Sequence, residues 1–205
     1  VYLTPAAAGA PPLALTESAA PAGLAALVHD ARAGDAEAFE HLVLLTQRRV
    51  ASVAYRMLGS REDAREATQE VYLRVFRFLR SFREGEDFHA WLYGLTMNVC
   101  RDLLRKRRAT VDLPENDAAL PHALVEAPCA DGVAEARQRA ALLARALSKL
   151  PERERRALVL RDLEGLAPED VARALNARPG TVRSLICKAR RRLHALLGET
   201  LGGRP

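Results

Sequence analysis

Leu163–Leu197, LEGLAPEDVARALNARPGTVRSLICKARRRLHALL, reads as two short helices meeting at a turn. In the first, Val171, Ala172 and Leu175 fall at helical spacing. Pro168 suits a first helical position, and Glu169 and Asp170 favour the positive end of the helix dipole. Asn176 tolerates the left-handed conformation that ends helices. The second helix opens at Arg178-Pro179-Gly180 and carries an apolar stripe of Val182, Ile186, Ala189, Leu193 and Leu196. Arg183, Ser184, Cys187 and Lys188 share a different face, and from Arg183 to His194 there are five cations and no acid. A purely solvated face normally mixes signs. Helix, short turn and helix with a basic outer face is the helix-turn-helix pattern, whose second helix enters the major groove.

The rest of the chain is consistent with a DNA-binding protein. It has 205 residues, enough for one or two domains, with 49% apolar residues and a formal net charge of +5. Richness in Ala, Leu and Arg with few β-branched residues predicts an all-α fold. The cations are clustered, which points to a polyanion. Cys100, Cys129 and Cys187 are widely spaced and odd in number, so neither a disulfide framework, a metal site nor a cofactor is expected. No apolar run is long enough to span a membrane and no secretory signal is visible, so a cytoplasmic protein is expected. Neither a phosphate-binding Gly loop nor a catalytic motif is present, and we expect no enzyme activity.

Residues 1–23, rich in Ala and Pro, read as a disordered extension. A helical period begins at Leu24, and Gly34 breaks it ahead of a cap at Asp35. The next helix runs from Ala38 through Leu45 to Leu58. In Glu62–Phe82, Ala64, Ala67, Val71, Val75 and Phe78 face one way, and Glu66, Gln69, Glu70 and Arg74 another. Tyr72 and Phe76 add an aromatic edge that serves either two-sided packing or docking. After a polar loop, Phe88–Arg108 has a stripe of Trp91, Leu95, Val99 and Leu103. Asn98 and Asp102 are expected to pair at i,i+4, beside the run Arg101, Arg105, Lys106, Arg107 and Arg108. Residues 109–133 carry Pro114, Pro121 and Pro128 among acids and read as a flexible linker. A second helical domain then spans 134–205, with helices near Ala134–Ser148 and Glu152–Leu163 ahead of the helix-turn-helix.

Leu150–Leu196 resembles region 4 of bacterial sigma factors. Gly34-Asp35-Ala36-Glu37-Ala38-Phe39, Glu62-Asp63-Ala64, Thr68-Gln69-Glu70-Val71-Tyr72, and Phe88-His89-Ala90-Trp91-Leu92-Tyr93 with Asn98 and Asp102 resemble region 2. Both regions in this order, joined by a short linker, are similar to the extracytoplasmic-function (group 4) sigma factors. The resemblance implies that residues 24–108 bind core RNA polymerase, made of β and β′ among other subunits, through Asp63, Glu66, Gln69, Glu70 and Arg74. It implies that Arg83, Phe88, Trp91, Asn98, Arg101, Arg105, Lys106, Arg107 and Arg108 serve the −10 promoter element. It further implies −35 contacts from Arg178, Thr181, Arg183, Ser184, Cys187, Lys188 and Arg191, a linker threading toward the RNA exit channel, and an anti-sigma factor as partner. The family usually has Ser or Thr at Ala167, Gly at Asn176, Pro at Arg178 and Arg at Leu185. A stand-alone helix-turn-helix regulator, or a sequestering protein that borrows this fold and binds no DNA, stays open as an alternative.

Overall fold

Asp35 and Ser60 set the frame of the N-terminal half. The Asp35 carboxylate accepts from the backbone N–H groups of Glu37 and Ala38, and the Ser60 hydroxyl accepts from that of Asp63. Each thereby satisfies helix-terminal donors that would otherwise lack partners. The computed structural model describes residues 21–110 and 132–202, all in helices and short connections. The expected extension and most of the linker lie outside the described residues. The first set of helices is α1 (Pro21–Ala33), α2 (Ala36–Leu58), α3 (Arg61–Phe78) and α4 (Phe88–Thr110), with one 3₁₀ turn, Leu79–Ser81, after α3. Gly59 ends α2 in the left-handed conformation, φ 73°, which glycine adopts without strain.

In α3, Ala64, Ala67, Val71 and Val75 are buried as their spacing predicts. Phe78 is not on that face: it is half exposed, because the helix tightens to a 3₁₀ turn there and Leu79 takes the buried place. Leu45, on the expected apolar side of α2, is also exposed. The buried face of α4 is wider than the predicted stripe. Leu92, Tyr93, Met97, Val99 and Cys100 are all nearly inaccessible, whereas Trp91, Leu95 and Leu103 are only half-buried. The reason is that α4 packs against α2 and α3 on one side and against a helix of the C-terminal half on another. Burial pushes the Cys100 thiol up to about 12, so it is a packed apolar side chain rather than a reactive one.

The C-terminal set is α5 (Gly132–Ser148), α6 (Glu152–Leu158), α7 (Pro168–Leu175) and α8 (Pro179–Gly202). The predicted helix Glu152–Leu163 is present, but its last turn, Val159–Leu163, widens to a π-helical turn. α7 starts without a side-chain cap at Ala167, and Asn176 closes it at φ 48°, ψ 53°. Val182, Ile186 and Ala189 of α8 are buried, and Leu193 and Leu196 are half-buried, which confirms the stripe. The acids absent from the stretch Arg183–His194 come from other elements. Asp162 holds Arg190 at 2.6 and 2.8 Å, and Glu154 holds Arg192 at 3.0 Å.

The buried side chains of both sets form one continuous cluster. α7 packs on α4 and α5 on α2. Arg155, almost wholly buried, reaches across: it donates to the Met57 carbonyl of α2 at 2.6 Å and to the carbonyls of Ser148 and Leu150. A charged donor thus satisfies carbonyls at the ends of α2 and α5 together.

Candidate nucleic-acid interface

Three surfaces carry the residues singled out from the sequence. The first is the outer face of α3. Glu66 and Gln69 are exposed there, and Glu70 accepts from Arg74 Nε at 2.9 Å. Arg74 also donates to Asp102 of α4 at 3.2 Å. The expected pairing of Asn98 with Asp102 is therefore not found, because the long Arg74 side chain brings a full charge to that carboxylate, which a neutral amide does not. Burial lowers the Arg74 pKa, but its two carboxylate partners together outweigh this and hold it above its ordinary value. Asp63 forms an ion pair with Arg107. This turns Asp63 toward α4, while the Arg107 side chain stays half exposed.

The sequence reading marked Phe76 as part of an aromatic edge but missed Leu73 beside it. Leu73 and Phe76 are 55% and 71% exposed, and Phe78, two residues on, is half exposed. Gln69, Leu73 and Phe76 stand at i, i+4 and i+7, so the polar row continues into an apolar one. That spacing was visible in the sequence. Tyr72 goes the other way: its hydroxyl pairs with Thr46 Oγ1 at 2.8 Å, and burial lifts its pKa to about 12. Phe76 rests edge-on against Phe39, centroids 5.5 Å apart.

The second surface is a groove of about 490 Å³ lined by Asp87, Trp91, Leu95, Asn98 and Arg101 on one side and by Arg173 and Asn176 on the other. Phe82, Phe88 and Trp91 form an aromatic cluster beneath its rim, with centroids 5.4 to 5.8 Å apart. Phe88, expected among the −10 residues, is buried in that cluster and packs against Trp91. Asn98 is half-buried and its amide makes no hydrogen bond within the described residues, which leaves donor and acceptor available. Arg83, Arg105 and Lys106 are exposed, Arg101 is half-buried beside Asp102, and the Arg108 side chain lies outside the described residues.

The third surface is the start of α8. Arg178, Thr181, Arg183, Ser184, Cys187, Lys188 and Arg191 are all exposed, on the side opposite the buried stripe. Arg183 lies 3.8 Å from Glu169 of α7, a contact exposed on both sides and readily displaced. Among the described residues Cys187 is the exposed thiol, in contrast to Cys100. An adduct at Cys187 would fill the space that a groove-facing helix leaves for bases. We expect thiol alkylation to lower −35-dependent transcription at least severalfold, and Cys187→Ser to be active and insensitive. Full activity of the alkylated protein would contradict the outward placement.

A recognition helix with an outward cationic face, tied to a second helical unit with its own cationic helix end and an open aromatic groove, defines a two-part promoter-type DNA-binding protein. Comparison with known proteins places it further. The family profiles for Sigma-70 region 2 and Sigma-70 region 4 match residues 42–110 and 137–193. The chain is 36% identical to the ECF RNA polymerase sigma factor SigE of Mycolicibacterium smegmatis over 78% of its own length and 62% of that protein. It is 35% identical to the ECF RNA polymerase sigma factor SigM of Mycobacterium tuberculosis over 81% of its length and 80% of that protein. Among solved structures, CnrH in complex with the cytosolic domain of CnrY matches with a TM-score of 0.65 at 26% identity, covering 85% of this chain and 97% of that one. The chain belongs to the sigma-70 family of RNA polymerase sigma factors, in its extracytoplasmic-function branch. Members of this family are transcription initiation factors. Among the described residues no helix is long and apolar enough to cross a membrane, and no cluster of His, Cys, Asp or Glu could hold a metal.

Proposed function

We propose that this chain binds core RNA polymerase, reads −10 and −35 promoter elements and opens promoter DNA at −10. The observation that carries this reading is the presence of both family regions on one chain, each presenting its own exposed recognition surface. Residues 24–108 act as the polymerase and −10 unit, 134–205 as the −35 unit, and 109–133 as the tether. Glu66, Gln69 and Glu70, extended by Leu73 and Phe76, dock on the clamp helices of β′. Asp63 and Arg74 hold that face to α4.

In the −10 groove, Trp91 supplies a π-face on which an unstacked base can lie, and Asn98 supplies a donor–acceptor pair for its edge. Arg83, Arg101, Arg105, Lys106, Arg107 and Arg108 neutralise phosphates around it, and Phe88 positions Trp91. A base held outside the stack keeps the strands apart, so binding energy replaces a chemical fuel in opening the duplex. Arg178, Thr181, Arg183, Ser184, Cys187, Lys188 and Arg191 meet the major groove at −35. The protein itself carries out no catalysis and works in the cytoplasm on the nucleoid. CnrH, similar in structure, is held by the cytosolic domain of CnrY, and we assign an anti-sigma factor to this chain on that likeness.

The reading is tested by mixing the chain with core polymerase on a native gel. A single new species with both components is expected, and free migration of both would refute it.

A further inference from the structure

The arginines that pack into this chain mostly have something to hold. Arg155 donates to the carbonyls of Met57, Ser148 and Leu150, and Arg56 is ion-paired with Glu164. Arg156, the next residue of α6, has nothing comparable. It is 8% exposed, and its Nε is enclosed without a hydrogen-bond partner. Among the described residues no carboxylate comes within ion-pair distance of its guanidinium; Glu152, the acid that acts on it, does so from farther away. Only Nε is sealed off, so the part that solvent still reaches includes the guanidinium tip. A buried charge without a partner is destabilising, and arginines are seldom buried unless something pairs with them.

The neighbours of Arg156 deepen the anomaly. They are cations: Arg101 of α4, and Arg153 one turn back on α6. Burial, then Arg101, lower the pKa of the Arg156 guanidinium and Arg153 adds to this, while Glu152 and Cys100 pull the other way without restoring it. Arg101 is itself short of partners. Its Nε is also enclosed without a hydrogen bond, 3.9 Å from one oxygen of Asp102, whose other oxygen is taken by Arg74. Two helices thus bring together a recessed guanidinium and two more exposed ones, with a shortage of acids to meet them.

We propose that Arg156, with Arg101 and Arg153 beside it, forms an anion site that takes the terminal phosphate or pyrophosphate group of a small phosphorylated molecule. Guanidinium groups meet phosphate oxygens through paired N–H···O bonds. A terminal phosphate brings close to two negative charges and three free oxygens, enough for several guanidinium groups at once. A backbone phosphodiester carries one charge and is flanked by two sugars, which suits an exposed cationic ridge better than a recessed head group. Arg153 and Arg156 belong to none of the three surfaces assigned to polymerase and promoter, so the site stands whether or not that reading does.

The test uses the full chain with pyrophosphate as the probe, at constant ionic strength. Calorimetric titration of wild type should show one saturable site. With pyrophosphate at about ten times its dissociation constant, the thermal midpoint should rise by roughly 3–6 °C. Arg156→Met keeps an apolar stem and removes the charge. It should weaken pyrophosphate binding by about tenfold or more. Without anion it should melt no lower than wild type, because a partnerless buried charge has gone. Arg156→Lys, which keeps a charge but not the planar fork, should bind with intermediate affinity. An Arg156→Met chain that binds pyrophosphate as wild type does would overturn the site. So would one that fails to fold without anion, since the guanidinium would then already be satisfied inside the chain. A thymidine oligonucleotide separates the two sources of phosphate. If Arg156→Met weakens its binding while wild type takes up no pyrophosphate, Arg156 serves a nucleic-acid backbone and the small-molecule site is refuted.

Discussion

Leu73→Lys combined with Phe76→Glu is expected to lower the affinity for core RNA polymerase about 100-fold or more while leaving the fold intact. Both side chains are more than half exposed, so the folded chain loses little beyond the edge contact of Phe76 with Phe39. An apolar pair in the midst of Glu66, Gln69 and Glu70 has the composition of a docking centre with a polar rim. Truncating such anchors typically costs on the order of 2 kcal/mol or more each, and placing a charge in the desolvated contact adds to that. Gln69→Ala with Glu70→Lys should act in the same direction, with a smaller effect from rim groups that keep some contact with water. Titration of fluorescent protein with core enzyme measures both. Unchanged affinity in the Leu73/Phe76 variant would remove this face from the interface.

Asn98→Ala is expected to leave holoenzyme formation unchanged and to reduce open-complex formation by roughly 10- to 100-fold, the range that the loss of about 1–3 kcal/mol of base discrimination implies. The amide is half-buried in the groove, makes no hydrogen bond within the described residues, and sits beside Trp91 and Arg101. Its removal leaves packing nearly untouched, which separates a recognition defect from a folding defect. Permanganate reactivity of thymines near −10 reports the opened strands. Reactivity equal to wild type would show that Asn98 has no part in holding them.

The sequence was most informative where local chemistry determines structure. Asp35, Ser60, Gly59 and Asn176 end or begin helices as their side chains and backbone freedom require. The stripe of Val182, Ile186 and Ala189 fixed the orientation of α8 and with it the outward set from Arg178 to Arg191. Cations were harder to divide. Arg190 and Arg192 look like their neighbours in sequence, and only the arrival of Asp162 and Glu154 from elsewhere shows that they brace the helix. Arg107 is paired with Asp63 for the same reason.

Contacts between the two sets of helices were least legible. The wide buried face of α4 reads in sequence as a helix with too many apolar positions, and nothing local assigns Tyr93 to Glu164 or Gly94 to Ala174. Glu164 likewise reads as a loop acid until Arg56 and Tyr93 meet it. The packing of Phe88 was not legible either, because a residue at the start of a helix after a polar loop gives no sign that Phe82 and Trp91 will enclose it.

The central claim is that this chain gives core polymerase the ability to start at defined promoters. Run-off transcription tests it directly, with core enzyme, a pool of genomic promoter fragments, and the chain present or absent. The account predicts discrete transcripts only when the chain is added, from fragments sharing two upstream elements, with loss of signal in the Asn98→Ala and Leu73/Phe76 variants. A chain that binds duplex promoter DNA tightly without polymerase, and yields no transcript with it, would contradict the account.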